Sequence, residues 1–294
     1  MGACLDAVLN QAAGSDVEIV VVDSASDTAA LKQVQEHIQR QTNNHPDTPI
    51  KFIALDQPGV AKARNVGAQR ADSDWVATLD DDALVHDTWI EGALEAITLS
   101  TADTAIIQGR IDPRWPAGHT ASVGPRWERF LSIVQLNGTF DMSDGFVCSG
   151  ANMLVRRTHL LAAGGYDEDF GRVKSNLESG IDTALAHAIL KIDKRIFYSD
   201  RFPVDHVIHP ERLDPKWLCC RSRMDGRAEA RLLLKSKRPF RLFYQIAKSL
   251  GSVSLFSVLL MMARTNTELL IRREVNRGLL EEVFRRHRPD VKET

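Results

Sequence analysis

Residues 75–83 read Trp-Val-Ala-Thr-Leu-Asp-Asp-Asp-Ala, an apolar run that stops abruptly on three carboxylates. The run is rich in aromatic and β-branched side chains, and Trp75–Asp80 reads as a strand. Three consecutive acids repel one another unless a cation or hydrogen-bond donors offset their charge. Alternate residues of an extended segment point the same way, so Asp80 and Asp82 are expected to face a common ligand. Hard carboxylate oxygens suit Mg2+ or Mn2+ with a diphosphate completing the shell. The competing reading is an Asp-rich turn that caps the next helix.

The pattern on both sides of this strand is a repeated strand–helix alternation. Upstream, Val17–Asp23 (VEIVVVD) is nearly continuous and β-branched, as in a strand covered on both faces. Leu31, Val34 and Ile38 then mark a helix face, Ile50–Leu55 a second strand, and Gly59–Arg70 a helix. Downstream, Ile90, Leu94 and Ile97 define a helix over about Thr88–Ile97. This rhythm predicts an α/β fold with a mostly parallel sheet flanked by helices. Right-handed crossovers place the loops after Val22 and Leu79 on the carboxyl edge of the sheet, where ligands bind in open α/β folds. Past Ala102 the pattern is less regular, with strands expected at Thr104–Gln108 and Asn152–Arg156. From about Lys216 the chain is mostly helical and basic, which divides it into residues 1–215 and 216–294.

Composition supports two regions with different partners. The 294 residues are 44% hydrophobic and 26% charged, which excludes a disordered, collagen-like or disulfide-scaffold protein. The net charge of −2 conceals an asymmetry: residues 211–294 hold 19 Lys and Arg against 10 Asp and Glu, while residues 1–210 hold 18 against 29. The acidic part suits a metal, and the basic part suits phosphates or an anionic membrane. The four cysteines form no CxxC pair, so neither a zinc site nor a disulfide framework is indicated, and a reducing, cytoplasmic setting is expected. No secretory signal is read. No run of about 18 apolar residues occurs, so no spanning helix is expected. Ser249–Ala263 is uncharged over 15 residues and is read as a buried helix ahead of an interfacial one.

Two further polar clusters stand out, the first of them expected beside the acidic strand end. Asp23-Ser24-Ala25-Ser26-Asp27 offers short oxygen-bearing side chains to a base or ribose, although Ser26 or Asp27 equally caps the following helix. Lys62 and Arg64 put two cations in the first turns of a helix, where a nearby anion would rationalise them. A solvated helix face is the plainer alternative.

In this order the segments resemble the family 2 glycosyltransferases, which have the GT-A nucleotide-sugar-binding fold. The matching stretches are VVVDSASD (Val20–Asp27), GVAKARNVG (Gly59–Gly67), LDDDA (Leu79–Ala83) and SGANMLVRR (Ser149–Arg157). GGYDEDFGR (Gly164–Arg172), NLESGIDTAL (Asn176–Leu185) and VDHVIHPERL (Val204–Leu213) follow, so the likeness covers roughly residues 4–213.

The resemblance implies a role for each matched residue. Asp23 and Ser24 would meet the nucleoside base, Asp80 the ribose and metal, and Arg64 the nucleotide. Asp82 would be the principal ligand of a Mg2+ or Mn2+ ion, approached by His206. Gly150, Ala151 and Asn152 would line the sugar and acceptor side, and Arg212 would meet the diphosphate. Asp182 would be the general base of an inverting transfer to a polysaccharide or lipid-linked acceptor. On its own, Asp182 in the first turn of an amphipathic helix is also a plain helix-start residue.

The sequence departs from the family twice. Ile181 stands where the family usually has the first acid of a pair, with Glu178 three residues earlier. Ala3–Gln11 matches the helix that follows the family's first strand, so that strand is missing from the chain and an upstream start is expected. These departures motivate an alternative, a non-catalytic relative that binds nucleotide or glycan. A nucleotidyltransferase is disfavoured by the absence of a glycine-rich triphosphate loop, and nucleic-acid binding by a basic region without interleaved aromatics.

Overall fold

A computed structural model of the chain describes residues 1–119, 124–171, 177–236, 239–262 and 266–286. Arg172 and Asn176, at the ends of two of the quoted motifs, and Ala263 lie outside them. The chain divides into two compact units.

The first unit comprises residues 1–119, 132–174 and 181–208. It opens on α1 (Gly2–Ala12), followed by β1 (Ile19–Asp23), α2 (Thr28–Asn44), β2 (Ile50–Ala54), α3 (Val60–Arg70) and β3 (Trp75–Leu79). Then come β4 (Ala83–Val85), α4 (Trp89–Thr98) and β5 (Thr104–Arg114). In the second unit α5 (Pro125–Phe130) interrupts, and the first resumes with β6 (Thr139–Asp141), β7 (Asn152–Arg156), α6 (Arg157–Ala162), α7 (Ile181–Lys191) and β8 (Arg195–Val207). The early elements keep the spacing read from the apolar runs. Asp27 caps α2 by accepting from the backbone of Ala29 and Ala30, one of the two roles its sequence left open.

The sheet differs from the expected one. β1 and β2 pair in parallel as a sheet of their own, and the larger sheet runs β3-β7-β5-β8-β4 with β6 on β8. Only β5 and β8 are parallel in it; β7 runs antiparallel to both β3 and β5, and β4 and β6 antiparallel to β8. The larger sheet is therefore mixed. The physical reason is that β7 is buried at four of its five positions, and a fully covered strand reads as the same apolar run in either direction. Strand direction is set by the partners, and these lie far away in sequence.

Two apolar clusters hold this unit. Leu5, Leu9 and Ile38 pack against Ile19, Val21, Ile50 and Phe52, clamping α1 and α2 on the small sheet. In the larger sheet Ile106, Ile107, Met153, Val155, Ile196, Tyr198 and Phe202 are all buried to 1% exposure or less. Glu18 joins the base of β1 to the start of β3 by accepting from the backbone of Asp72 and Ser73 while it pairs with Lys51 at 2.6 Å.

The second unit comprises residues 120–131, 175–180 and 209–294. Its elements are α5, a 3-10 turn (Pro210–Leu213), α8 (Pro215–Lys235), α9 (Pro239–Met262) and α10 (Thr267–Arg286). α8 and α10 approach backbone to backbone: a Cβ on Gly226 would lie 1.9 Å from the Val275 carbonyl, and one on Gly278 1.9 Å from that of Arg223. The arginines between them are paired, Arg223 with Glu274, Arg227 with Glu281, and Arg231 with both Glu282 and Glu178. These pairs order the arginines but leave the net positive charge of residues 211–294 in place, because Glu274, Glu281 and Glu282 are among its 10 acids.

The reading of Ser249–Ala263 is corrected. The helix begins earlier, at Pro239, and Phe240–Leu260 is long and apolar enough by length and composition to cross a membrane, with a mean hydropathy of 1.3. Only 6% of its apolar window is buried. The expectation of no such helix required an unbroken apolar run, whereas here Arg241 and Lys248 interrupt the run without ending the helix.

Candidate active site

The start of α3 gathers the two polar loops. Ser24 Oγ accepts a hydrogen bond from the Gly59 backbone at 2.8 Å, immediately before α3. Asp23 is buried, and its Oδ2 accepts from the Ser26 backbone at 2.9 Å. One turn into α3, Arg64 reaches Asp80 at the end of β3: Nη2 donates to Asp80 Oδ1 at 3.0 Å. The anion that would rationalise a cation there is therefore a pair of protein carboxylates. The second is Asp182, whose Oδ1 accepts from Arg64 Nη1 at 2.6 Å.

Both oxygens of Asp182 are fixed. Oδ2 accepts from the Gly150 backbone at 3.0 Å, and Asp182 sits in the first turn of α7, where a helix N-terminus favours an anion. Gly150 is required by this arrangement, because a Cβ there would lie 2.2 Å from the Arg64 guanidinium. Burial alone disfavours the charged guanidinium, but Asp182 and then Asp80 more than reverse that, and Arg64 is held above its ordinary pKa. The Arg64 side chain is 13% exposed.

The sequence reading assigned no role to Tyr166 or Asn65, yet they support Arg64. The guanidinium lies 5.6 Å from the Tyr166 ring centroid. Asn65 brings that ring in by bonding both backbone groups of Tyr166, donating to the carbonyl at 2.8 Å and accepting from the amide at 2.7 Å. Both residues fall inside quoted motifs, which is the trace they leave in the sequence.

The three acids form a turn. The Ala83 backbone donates to the Asp80 carbonyl at 3.0 Å, so the segment is not extended as expected, and it does not cap α4, whose N-cap is Thr88. The turn still separates the carboxylates: the Asp81 side chain is 77% exposed, that of Asp80 40% and that of Asp82 17%. Across the β4–β8 ladder Ala83 stands opposite His206, and the Val207 backbone donates to the Asp82 carbonyl at 2.9 Å. His206 Nε2 lies 3.2 Å from Asp82 Oδ1 and is 2% exposed.

Asp80, Asp82 and His206 each offer a ligand atom, and the three atoms lie within 4.8 Å of one another. Two hard carboxylate oxygens and one imidazole fit Mg2+ or Mn2+. The donor set the sequence named for a divalent ion is therefore brought together.

The remaining named residues have the following surroundings. Asn152 and Ala151 are fully buried. The Asn152 amide donates to the carbonyls of Arg110 and Phe202 at 2.9 and 2.7 Å and accepts from Trp89 Nε1 at 3.0 Å, so it ties β5, β7, β8 and α4 together beneath the site. Arg212 lies in the 3-10 turn of the second unit, where its carbonyl accepts from Trp127 Nε1. Ile181 is buried with Ala184, Leu185 and Ile189 on the apolar face of α7. Glu178, the nearest acid upstream of it, binds Arg231 with both oxygens, at 2.8 and 3.2 Å.

An α/β unit with an acidic strand end, a divalent-ion donor set and a helical extension is the arrangement of the GT-A glycosyltransferases. The fold matches that of the mannosyltransferase PcManGT from Pyrobaculum calidifontis, solved with GDP-Man and Mn2+, at a TM-score of 0.60 and 17% identity over 97% of this chain and 83% of that one. The chain belongs to glycosyl transferase family 2, whose family model matches residues 1–161. It is similar to the glycosyltransferase AglE of Haloferax volcanii, 26% identical over 198 residues that make up 64% of this chain and 60% of that protein. It is also similar to a glucosyl-dolichyl phosphate glucuronosyltransferase of the same organism, 24% identical over 57% of this chain and 54% of that one. The chain thus spans little more than half the length of these two relatives.

Proposed function

We propose that the protein transfers a sugar from a nucleotide-diphospho-sugar to a hydroxyl of a glycan or lipid-linked acceptor, with inversion at the anomeric carbon. The observation that supports this most is the single guanidinium of Arg64 joining Asp182 to the Asp80, Asp82 and His206 cluster. A base and a diphosphate-binding centre at fixed separation are what an inverting displacement needs. The relatives point the same way: one solved structure carries GDP-Man and Mn2+, and one sequence relative is named for a glucosyl-dolichyl phosphate substrate.

In this reading Asp23 and Ser24 meet the nucleoside, and Asp82 with Asp80 and His206 holds a divalent ion. A bound Mg2+ or Mn2+ supplies Lewis-acid stabilisation of the charge on the diphosphate. Asp182 removes the proton of the acceptor hydroxyl as its oxygen bonds to the anomeric carbon. The bond from that carbon to the diphosphate breaks on the opposite face, and the nucleoside diphosphate departs. Gly150 and Arg64 keep the carboxylate aimed while leaving one lone pair of Oδ2 for the incoming hydroxyl.

The test is an assay of a nucleotide-sugar panel with Mn2+ or Mg2+, following donor hydrolysis, transfer and the anomeric configuration of the product. Asp82→Ala is expected to abolish both reactions, and Asp182→Asn to abolish transfer while donor binding persists. Transfer at the native rate by Asp182→Asn removes the base assignment. Binding of donor without turnover on any acceptor favours the non-catalytic reading that the buried Ile181 motivates.

A further inference from the structure

α9 arranges its surface in a way its own unit does not use. At 100° per residue, Phe240, Phe243, Tyr244, Leu250, Leu255 and Val258 fall on one face of the helix. All six are exposed, Phe240 to 90%, Phe243 to 74% and Tyr244 to 64%. The opposite face is the covered one. Leu242 and Ile246 pack on Ala230, Leu233, Leu279 and Val283, and buried Ser249 donates to Asn276 of α10 at 2.8 Å. Arg241 and Lys248 are exposed two turns apart along one edge of the apolar face, and α9 contains no acidic residue.

We propose that this face of α9 docks on an anionic lipid bilayer, with the helix lying in the plane of the interface. The six side chains enter the headgroup and acyl boundary, and Arg241 and Lys248 meet lipid phosphates. The proposal does not depend on the transfer chemistry. Two competing arrangements fit less well. A transverse span would carry α10 with it, because Ser249 and its neighbours are packed there, and α10 would bring Arg272, Arg273, Glu274, Arg277 and Glu281 into hydrocarbon. Pairing with a second copy through the same face would set Arg241 and Lys248 of each chain against a helix that carries no acid of its own, with Glu229 of α8 already within electrostatic reach of both cations.

The test uses the full chain and flotation with vesicles of phosphatidylcholine, with and without phosphatidylglycerol. The protein is expected to float with the anionic vesicles at low salt, to be released by alkaline carbonate, and to show a blue-shifted emission in a Tyr244→Trp variant on the same vesicles. Phe243→Ser with Leu255→Ser is expected to lower partitioning at least about tenfold. Its melting temperature should stay unchanged, because both side chains are exposed. Arg241→Gln with Lys248→Gln should lower the preference for anionic vesicles on the order of tenfold. Three results overturn the proposal: native protein that stays in the dense fraction at low salt, a double serine variant that floats like the native chain, or a dimer in solution that the double serine variant abolishes. Resistance to alkaline carbonate overturns the in-plane arrangement in favour of a span.

Discussion

Arg64 and Asp182 stand 118 residues apart in sequence and meet at 2.6 Å, and the same guanidinium holds Asp80 at 3.0 Å. One cation thus sets the distance between the carboxylate proposed to take a proton and those proposed to hold a metal. A lysine at position 64 supplies the charge without the two-armed geometry. Arg64→Lys should therefore fold and lose about a hundredfold in kcat. Arg64→Ala, which leaves two carboxylates without their shared partner, should also lose about 3 kcal/mol of stability in urea titrations. A Lys variant turning over at the native rate would refute the bridging role.

Gly150 tests the same contact from the other side. Its missing Cβ leaves the space that the Arg64 guanidinium occupies. Gly150→Ala is expected to cost about 1–3 kcal/mol by overpacking and to slow transfer about as much as Arg64→Lys. Combined in one chain, the two substitutions should be clearly less than additive, because each removes the same contact.

Metal binding can be separated from turnover. Free Mn2+ measured by electron paramagnetic resonance, without donor, should show at least about a tenfold weaker affinity in Asp82→Asn and in His206→Ala than in the native chain. Asp81→Asn, with its exposed side chain, should bind as the native chain does. Equal affinity in all three variants would dissolve the Asp80, Asp82 and His206 centre.

Asn152 should behave as a strut. With three hydrogen bonds lost, two of them buried, Asn152→Ala should destabilise by about 2–4 kcal/mol. The Michaelis constant for the donor should be unchanged at temperatures where the variant is folded. A donor-specific defect at unchanged stability would restore the sugar contact that the family resemblance implies.

Glu18 gives a pH signature. Burial pushes its carboxyl up, but Lys51 and the backbone donors of Asp72 and Ser73 more than reverse this and hold it below its ordinary 4.5. A carboxyl with a depressed folded pKa contributes stability that is present above the unfolded value and is lost as pH falls through the folded one. Glu18→Gln should thus be less stable than the native chain at pH 7. The gap should narrow steadily below about pH 4.5 in thermal melts taken across that range.

The parts of the fold written locally were legible. β1, β2, β3 and β7 appear close to where apolar runs placed them, because a short β-branched run between turn residues has few other uses. Asp80 and Asp82 were legible as a pair, since three adjacent acids announce themselves. The direction of β7 was not, nor was β8, where Asp200, Arg201, Pro203 and Asp205 break the apolar pattern over 13 residues that the sheet nonetheless pairs. The Arg64–Asp182 contact was equally hidden: each residue has an ordinary local explanation, and only the packing of α7 against Gly150 turns two helix-end charges into one device. Asn152 shows the converse, a motif residue whose side-chain amide is bonded to three other elements of the fold.

The donor set joins the turn between the third and fourth strands to the last strand of the first unit. His206 comes into register with Ala83 only when β8, the last strand, has entered the sheet beside β5. Closing so long a loop is slow relative to the local pairing of β1 with β2. A chain still emerging from the ribosome would carry its aspartates well before it carried the histidine that completes the set.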